Sequence, residues 1–340
     1  MAANRKLHNA LALLLIVALG LVGCRGAGGG AEPSSKIRIA LVLPSTVDDM
    51  AWSQSMYEAL KAVQKEMGEN HLEIAISERL GTPVEGGAAI RQYAEQGYDI
   101  VIAHGAQFQQ VVLEIAPDFP KTTFAYGAGF EAGDNVFAYD VEAQEGGYLL
   151  GMLAGLLSKA GVVGIVGPVE AGHTVKYNWG FRQGVASVRP GIKVNVAYTG
   201  SFNDVVGAGD LAKVQMDAGA DVLTGSSQQA VGAIRAAAER PGVLWLSTEM
   251  DQSRLAPKTV VASQVYRWEK IVKRMIDLRK QGVVGGEHMT ASFADGTLEL
   301  RYNPELVGKV PQQVKDLVEE TRRKIADGTL KIELPREQGR

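Results

Sequence analysis

The side chains best suited to chemistry in this sequence follow apolar, strand-like segments and precede helix-like ones. The first such turn carries Asp49, Trp52 and Ser53, between a strand that begins at Ile37 and a helix predicted from Trp52. An aromatic face beside a carboxylate and a hydroxyl can hold a flat polar ring by stacking and by hydrogen bonds along its edge. The alternative roles are helix capping for Asp49 and core packing for Trp52.

Later strand-like segments end in turns of the same kind. Because parallel strands present their carboxyl ends at one edge of a sheet, where open α/β folds bind small molecules, we expect these turns to form one binding site. A lone histidine is alternatively a packing residue, and a serine before a helix is alternatively its cap. The candidate residues in these turns are His104, Gly105, Phe202, Gly225, Ser226 and Glu249.

Composition and motifs exclude several classes of function. The five histidines have no HExxH spacing, and the sequence contains neither a GxSxG elbow nor another pairing of a nucleophile with a base. We therefore expect a binding protein rather than an enzyme, with no cofactor and no metal site. A formal net charge of -3 and a pI near 6.0 argue against nucleic acid as a partner.

Strand-like and helix-like segments alternate from Ile37 onward. Examples are the strands predicted at residues 72–77 and 193–198 and the helix predicted at residues 143–159. Helical connections between strands imply right-handed parallel crossovers, so the fold class is α/β with parallel sheets. The series restarts after Asp140, and about 300 residues exceed what one compact core usually holds, so we expect two lobes of similar plan.

The first 36 residues have the composition of a targeting segment and a tether. Residues 1–23 form a signal peptide pattern, with basic residues followed by an apolar run too short to span a bilayer. The run ends at Cys24, the only cysteine of the chain, in a context that resembles the lipobox of bacterial lipoproteins. Residues 24–36 are rich in glycine and serine, which is typical of a flexible tether.

The order and spacing of several segments resemble the basic membrane protein family of bacterial substrate-binding lipoproteins. The segments that carry this resemblance, which covers essentially all of the mature chain, are IRIALVLPSTVDDMAWSQSMYEALKAV, APDFPKTTFAY, YDVEAQEGGYLLGMLAGLLSKAGVVGIVGP and YTGSFND. The resemblance implies a type I periplasmic-binding-protein fold, whose two Rossmann-like lobes are joined by a three-strand hinge and clamp a ligand between them. It places residues 37–140 and 262–290 in lobe 1, and residues 141–261 and 291–340 in lobe 2.

Members of this family resemble purine-nucleoside receptors that serve ABC transporters. The resemblance therefore implies a purine-like ligand, an ABC permease as partner, and attachment to the outer face of a membrane through an N-terminal lipid. It implies that the purine stacks between Trp52 and Phe202 and that Glu249 is the nearest match to a carboxylate that binds ribose. Tyr266 stands where relatives carry a lysine, so a nucleoside and a free base both remain open as ligands.

Two other functions are compatible with the sequence. A binding protein of the same fold can sense its ligand and signal to a membrane receptor instead of delivering it for transport. An extracytoplasmic nucleosidase is disfavoured, because the sequence offers no catalytic constellation.

Replacing Cys24 by serine tests the lipid anchor. Because acyl transfer needs the thiol, we expect the Cys24→Ser protein to take up no labelled palmitate and to leave the membrane fraction. Ser35→Ala, in the adjoining tether, is the matched control and should label normally. Continued labelling of Cys24→Ser would contradict lipidation at this residue.

Overall fold

The computed structural model of this protein describes residues 36–335. The predicted signal segment, Cys24 and nearly all of the predicted tether lie outside the described residues. Within the described range, no helix is both long enough and apolar enough to cross a membrane.

Strands form wherever short apolar runs are bounded by glycine, proline or polar turn residues. Many of these strands are buried along their whole length, which is typical of parallel strands covered by helices on both faces. In chain order, the strands of the described range are β1 (Ile37–Val42), β2 (Leu72–Ser77), β3 (Ile100–Ala103), β4 (Thr123–Gly127), β5 (Val136–Val141), β6 (Val162–Gly167), β7 (Lys193–Tyr198), β8 (Val222–Gly225), β9 (Leu244–Ser247), β10 (Val260–Tyr266), β11 (His288–Ala291) and β12 (Leu298–Tyr302).

Helices connect most of these strands, and several begin at recognisable caps. Thr82, which precedes the helix that begins at Pro83, forms a reciprocal capping box with Glu85. The Asp204 carboxylate caps the helix that begins at Val205 by accepting the Gly207 N–H at 2.9 Å. The α-helices of the described range are α1 (Trp52–Met67), α2 (Pro83–Glu95), α3 (Gln109–Ile115), α4 (Ala143–Leu157), α5 (His173–Val188), α6 (Val205–Asp217), α7 (Ala230–Ala238), α8 (Trp268–Lys280) and α9 (Gln312–Ala326).

The strands form two six-stranded sheets of the same plan. Their orders are β2-β1-β3-β4-β5-β11 and β7-β6-β8-β9-β10-β12, and every neighbouring pair is parallel except β10 with β12. The first sheet with α1, α2, α3 and α8 forms lobe 1, and the second sheet with the remaining helices forms lobe 2. The expectation of an α/β chain with two lobes of similar plan is confirmed.

Three segments cross between the lobes: Glu142, Arg267 and residues 292–297. The sheet topology differs from the expected division at one place. Residues 262–290 were expected in lobe 1, but β10 pairs with β9 and β12 in lobe 2, and the chain enters lobe 1 only at α8. The contact with lobe 1 begins only at α8, where the Trp268 indole donates to Ser55 Oγ of α1 at 3.0 Å. A contact between residues so far apart in the chain cannot be inferred from the local sequence.

Helices α4 and α5 touch at backbone level in lobe 2. A Cβ atom at Gly184 would overlap the carbonyl oxygen of Tyr148, and one at Gly151 would overlap that of Phe181. Neither glycine has a positive φ, so glycine is required at these positions only because a larger side chain would not fit between the helices. This close approach fixes α5, whose first residue is His173, against the helix that follows the first crossover.

Adding one methyl group at Gly184 tests this contact. Overpacking of a well-packed contact typically costs about 1–3 kcal/mol, so Gly184→Ala should lower the free energy of unfolding by about that amount or more. The control is Gly308→Ala, where a Cβ meets no atom within 4 Å. Urea titrations of both variants give the comparison, and equal unfolding midpoints would show that the helices are not in contact.

Candidate functional site

A cavity of about 300 Å³ lies between the two lobes at the carboxyl ends of their strands. Lobe 1 contributes Trp52 and the turn at Gly105, and lobe 2 contributes the turns that carry His173, Phe202 and Ser227. These turns follow β1, β3, β6, β7 and β8, so the same edge of both sheets faces the cavity. Three of the ten predicted ligand-binding residues line it: Trp52, Gly105 and Phe202.

Trp52 is the first residue of α1, and its indole is held within lobe 1 by His104. The indole N–H donates to the His104 carbonyl oxygen at 3.0 Å, and the two rings stack with centroids 4.2 Å apart and planes 9° apart. The imidazole of His173 reaches the same indole from lobe 2, with centroids 4.8 Å apart and again 9° between planes. The indole thus stacks against an imidazole from each lobe, and Trp52 is only 5% exposed.

His104 is a positioning residue for Trp52 rather than a wall of the cavity. Its Nε2 lies 3.0 Å from the Trp52 carbonyl oxygen and its Nδ1 lies 2.6 Å from the Tyr139 hydroxyl. A carbonyl can only accept, so Nε2 carries the proton and Nδ1 accepts from Tyr139. Complete burial lowers the pKa of His104 to about 3, although the Trp52 carbonyl acts in the opposite direction. The imidazole is therefore neutral at physiological pH.

Phe202 provides the aromatic side chain of lobe 2. It lies in the turn between β7 and α6, is 39% exposed and lines the cavity. The Gln229 N–H donates to the Phe202 carbonyl oxygen at 3.0 Å, which ties this turn to the start of α7. Trp52 and Phe202 therefore border one cavity from opposite lobes.

Asp49 and Ser53 do not line the cavity, and their side chains hold the start of α1. The Asp49 carboxylate accepts the N–H groups of Ala51, Ser53 and Gln54 at 2.9 to 3.1 Å. Burial raises the pKa of Asp49, while these three donors act to lower it. The Ser53 hydroxyl accepts the Ser45 N–H at 3.2 Å. Capping, the alternative role of Asp49, is the one that the hydrogen bonds support.

Gly225, the last residue of β8, and Ser226, the residue after it, do not line the cavity. A Cβ at Gly225 would overlap the Val166 carbonyl oxygen, so this glycine is needed for strand packing rather than for ligand approach. Ser226 is buried, and its hydroxyl has no hydrogen-bond partner within the described range. The next residue, Ser227, lines the cavity and has a positive φ of 65°.

Glu249 is fully buried behind Ser227 and His173. One carboxylate oxygen, Oε1, accepts the Ser227 N–H at 2.8 Å and lies 3.7 Å from His173 Nε2. Among residues 36–335, neither the other oxygen, Oε2, nor His173 Nε2 has a hydrogen-bond partner. Burial raises the pKa of Glu249, while His173 and the Ser227 N–H act to lower it.

Tyr266 is a packing residue at the end of β10. Its ring meets Trp52 edge-on at 6.4 Å and Trp268 at 5.3 Å, and its hydroxyl lies 3.2 Å from Thr248 Oγ1. It is buried and does not line the cavity. Its edge-on contact therefore supports the Trp52 indole, and the predicted contact of Tyr266 with a ligand would need a different arrangement of this side chain.

His173 lines the cavity and contacts Trp52, but it was not among the predicted site residues. It follows β6, a strand end equivalent to the others, but five residues separate the strand from α5 and no glycine–aromatic pattern marks it. Its position alone could have indicated it, because the turns after other strands of lobe 2 carry residues that line the cavity or lie next to it.

Comparison with known proteins assigns the chain to a family. The sequence model of the Bmp family, described as ABC transporter substrate-binding protein, PnrA-like, matches residues 36–333. The chain belongs to this family. The resemblance to the basic membrane protein family is thereby confirmed, and this family is one of solute-binding proteins.

Relatives of this Bmp-family protein include a purine-binding protein of Brucella abortus. It is 26% identical over 303 residues, which cover 89% of this chain and 85% of the relative. The transcriptional activator protein Med of Bacillus subtilis is 24% identical over 285 residues, which cover 82% of this chain and 85% of the relative. The solved structure of an ABC transporter solute-binding protein from Aeropyrum pernix superposes with a TM-score of 0.78 at 18% identity, covering 89% of this chain and 94% of the other. This likeness confirms the type I periplasmic-binding-protein fold.

Burial of a neutral His104 gives this Bmp-family protein a stability that depends on pH. Because the folded-state pKa of about 3 lies below the ordinary value of 6.5, the stability is present above pH 6.5 and is lost as pH falls toward 3. His104→Gln can keep both hydrogen bonds without titrating, so its melting temperature should fall less between pH 7 and pH 4 than that of the wild type. The exposed His71→Gln is the control. Parallel curves for wild type and His104→Gln would mean that folding does not lower the pKa of His104.

Proposed function

We propose that this protein binds a purine base or nucleoside between its lobes and delivers it to an ABC permease without catalysis. The observation that carries the proposal is the cavity bordered by Trp52 and Phe202 from opposite lobes. A volume of about 300 Å³ is at the lower end of the usual range of small-molecule pockets, about 300–1,000 Å³. The name of the Brucella relative, a purine-binding protein, supports the same ligand class.

Ligand binding in this proposal favours the closed arrangement of the lobes. Polar contacts already cross the cleft: Gln252 Nε2 donates to the Met50 carbonyl oxygen at 2.7 Å, and Lys176 in α5 pairs with Asp140 in β5 at 2.5 Å. A ring that contacts both lobes at once binds the closed state better than the open state, and this difference shifts the equilibrium by a hinge motion. A permease can then distinguish loaded from empty protein by its shape.

The proposal also includes a lipid anchor at Cys24 and an extracytoplasmic location. The lipobox-like sequence supports the lipid anchor, and together with the glycine-rich tether it supports an extracytoplasmic location. In this proposal the N-terminal lipid attaches the protein to the membrane. Two or three acyl chains give stable attachment, whereas one chain binds a membrane only marginally.

A second candidate function is sensing. The relative named as a transcriptional activator in Bacillus subtilis favours it, since a protein of this family need not serve import alone. Uptake of labelled purine by cells with and without this protein separates the two, because only a transport protein changes the uptake rate directly.

Phe202→Ala tests the binding site with the least disturbance to the fold, because Phe202 is partly exposed. Loss of one aromatic face stacked on a base typically costs about 1–3 kcal/mol, so purine affinity should fall about tenfold. Val214→Ala removes an exposed apolar side chain from α6 and should bind as the wild type does. Calorimetry with adenine, guanine, hypoxanthine and their ribosides measures the effect, after mass spectrometry of any compound that co-purifies. Unchanged affinity in Phe202→Ala would remove Phe202 from the site.

A further inference from the structure

The imidazole of His173 lies where the proposed function requires a ligand ring. It stacks on Trp52 across the cleft with 4.8 Å between centroids and 9° between planes, which is the arrangement expected of a bound flat base. His173 also lines the cavity, so open space begins directly beside this ring. A base can reach the indole face that His173 covers only if the imidazole leaves.

Two buried polar atoms at this position have no hydrogen-bond partner within the described range. One is Nε2 of the His173 ring itself, and the other is Oε2 of the neighbouring Glu249. The closest approach of the imidazole to the carboxylate is 3.7 Å, from Nε2 to Oε1, which is too long for a hydrogen bond. Buried polar groups are nearly always paired in folded proteins, and a carboxylate is an acceptor that requires donors. The imidazole therefore fills the space in front of Glu249 without satisfying it.

We propose that His173 is a stand-in for the ligand, and that a free purine base displaces it, stacks on Trp52 and donates a ring N–H to Glu249. The imidazole has the shape of the five-membered ring of a purine, and a free base carries a hydrogen on a nitrogen of that ring. A riboside carries its sugar on that nitrogen and has no such hydrogen to donate. This inference rests on the proposed function and narrows its ligand from purine compounds to free bases.

The local backbone allows His173 to move. It is the first residue of α5, and the preceding Gly172 has a φ of 55° with no atom within 4 Å of a Cβ placed there. Its Nε2 has no hydrogen-bond partner within residues 36–335 to hold the ring in place. Displacement thus requires loss of the stack on Trp52 and of the 3.7 Å approach to Glu249, but no disruption of the helix.

The first experiment compares adenine, 9-methyladenine and adenosine by calorimetry on the purified protein. A buried acceptor left without its donor typically lowers affinity by tenfold or more, so adenine should bind at least about tenfold more tightly than the two substituted compounds. Equal or tighter binding of adenosine would overturn this inference and leave the proposed function intact. No binding by adenine, guanine, hypoxanthine or their ribosides would overturn both.

The second experiment changes the stand-in itself. His173→Ala removes the competing ring, so adenine affinity should rise about 2- to 10-fold, the range that a stacked aromatic pair represents. His173→Phe places a ring that stacks but offers no polar atom, and adenine affinity should fall. The exposed His71→Ala is the matched control and should leave affinity unchanged, while melting temperatures establish that each variant is folded. Weaker binding in His173→Ala would overturn the role of His173 as a stand-in and make it a ligand contact.

Discussion

The pair of hydrogen bonds exchanged between Trp52 and His104 is the constraint on which the cleft depends. Each residue donates a ring N–H to the other's carbonyl oxygen at 3.0 Å, and the two rings stack. The bonds join the start of α1 to the end of β3, and Tyr139 extends the network to β5. Because all of these groups are buried and neutral, the network holds the indole without burying a charge. The lobe 1 half of the site is therefore formed before any ligand arrives.

The lobe 2 half is built differently. Its cavity-lining residues follow β6, β7 and β8, and Phe202 is partly exposed. Its carboxylate, Glu249, is fully buried with one oxygen unpartnered among the described residues. A rigid surface in one lobe and an incompletely paired surface in the other suit a receptor in which selectivity is decided as the cleft closes.

Most of the fold was predictable because its signals are local. The strands at Leu72–Ser77 and Lys193–Tyr198 have the predicted bounds, since apolar runs between turn residues define both ends. The position of β10 was not predicted, because β10 pairs with β9 and β12 in lobe 2 before the chain crosses to α8, and strand pairing between segments is not visible in the local sequence. The same difference applies to the site. Trp52 and Phe202 could be predicted because each follows the end of a strand, whereas the contact of His173 with Trp52 forms only between the two lobes. The position of Asp49 after a strand was compatible with ligand binding and with capping, and only the structure shows that its carboxylate accepts neighbouring N–H groups.

The three segments that join the lobes restrict how the lobes can move. Two of them are single residues, Glu142 and Arg267. Glu142 donates its backbone N–H to the carbonyl oxygen of Ala291, the last residue of β11, at 2.9 Å, and Arg267 donates to that of Thr297, in the third segment, at 2.8 Å. Segments this short and bonded side by side resist twisting and sliding more than bending. Under the proposed function, rotation about these segments opens and closes the cleft, and Trp52 and Phe202 return to the same relative position each time.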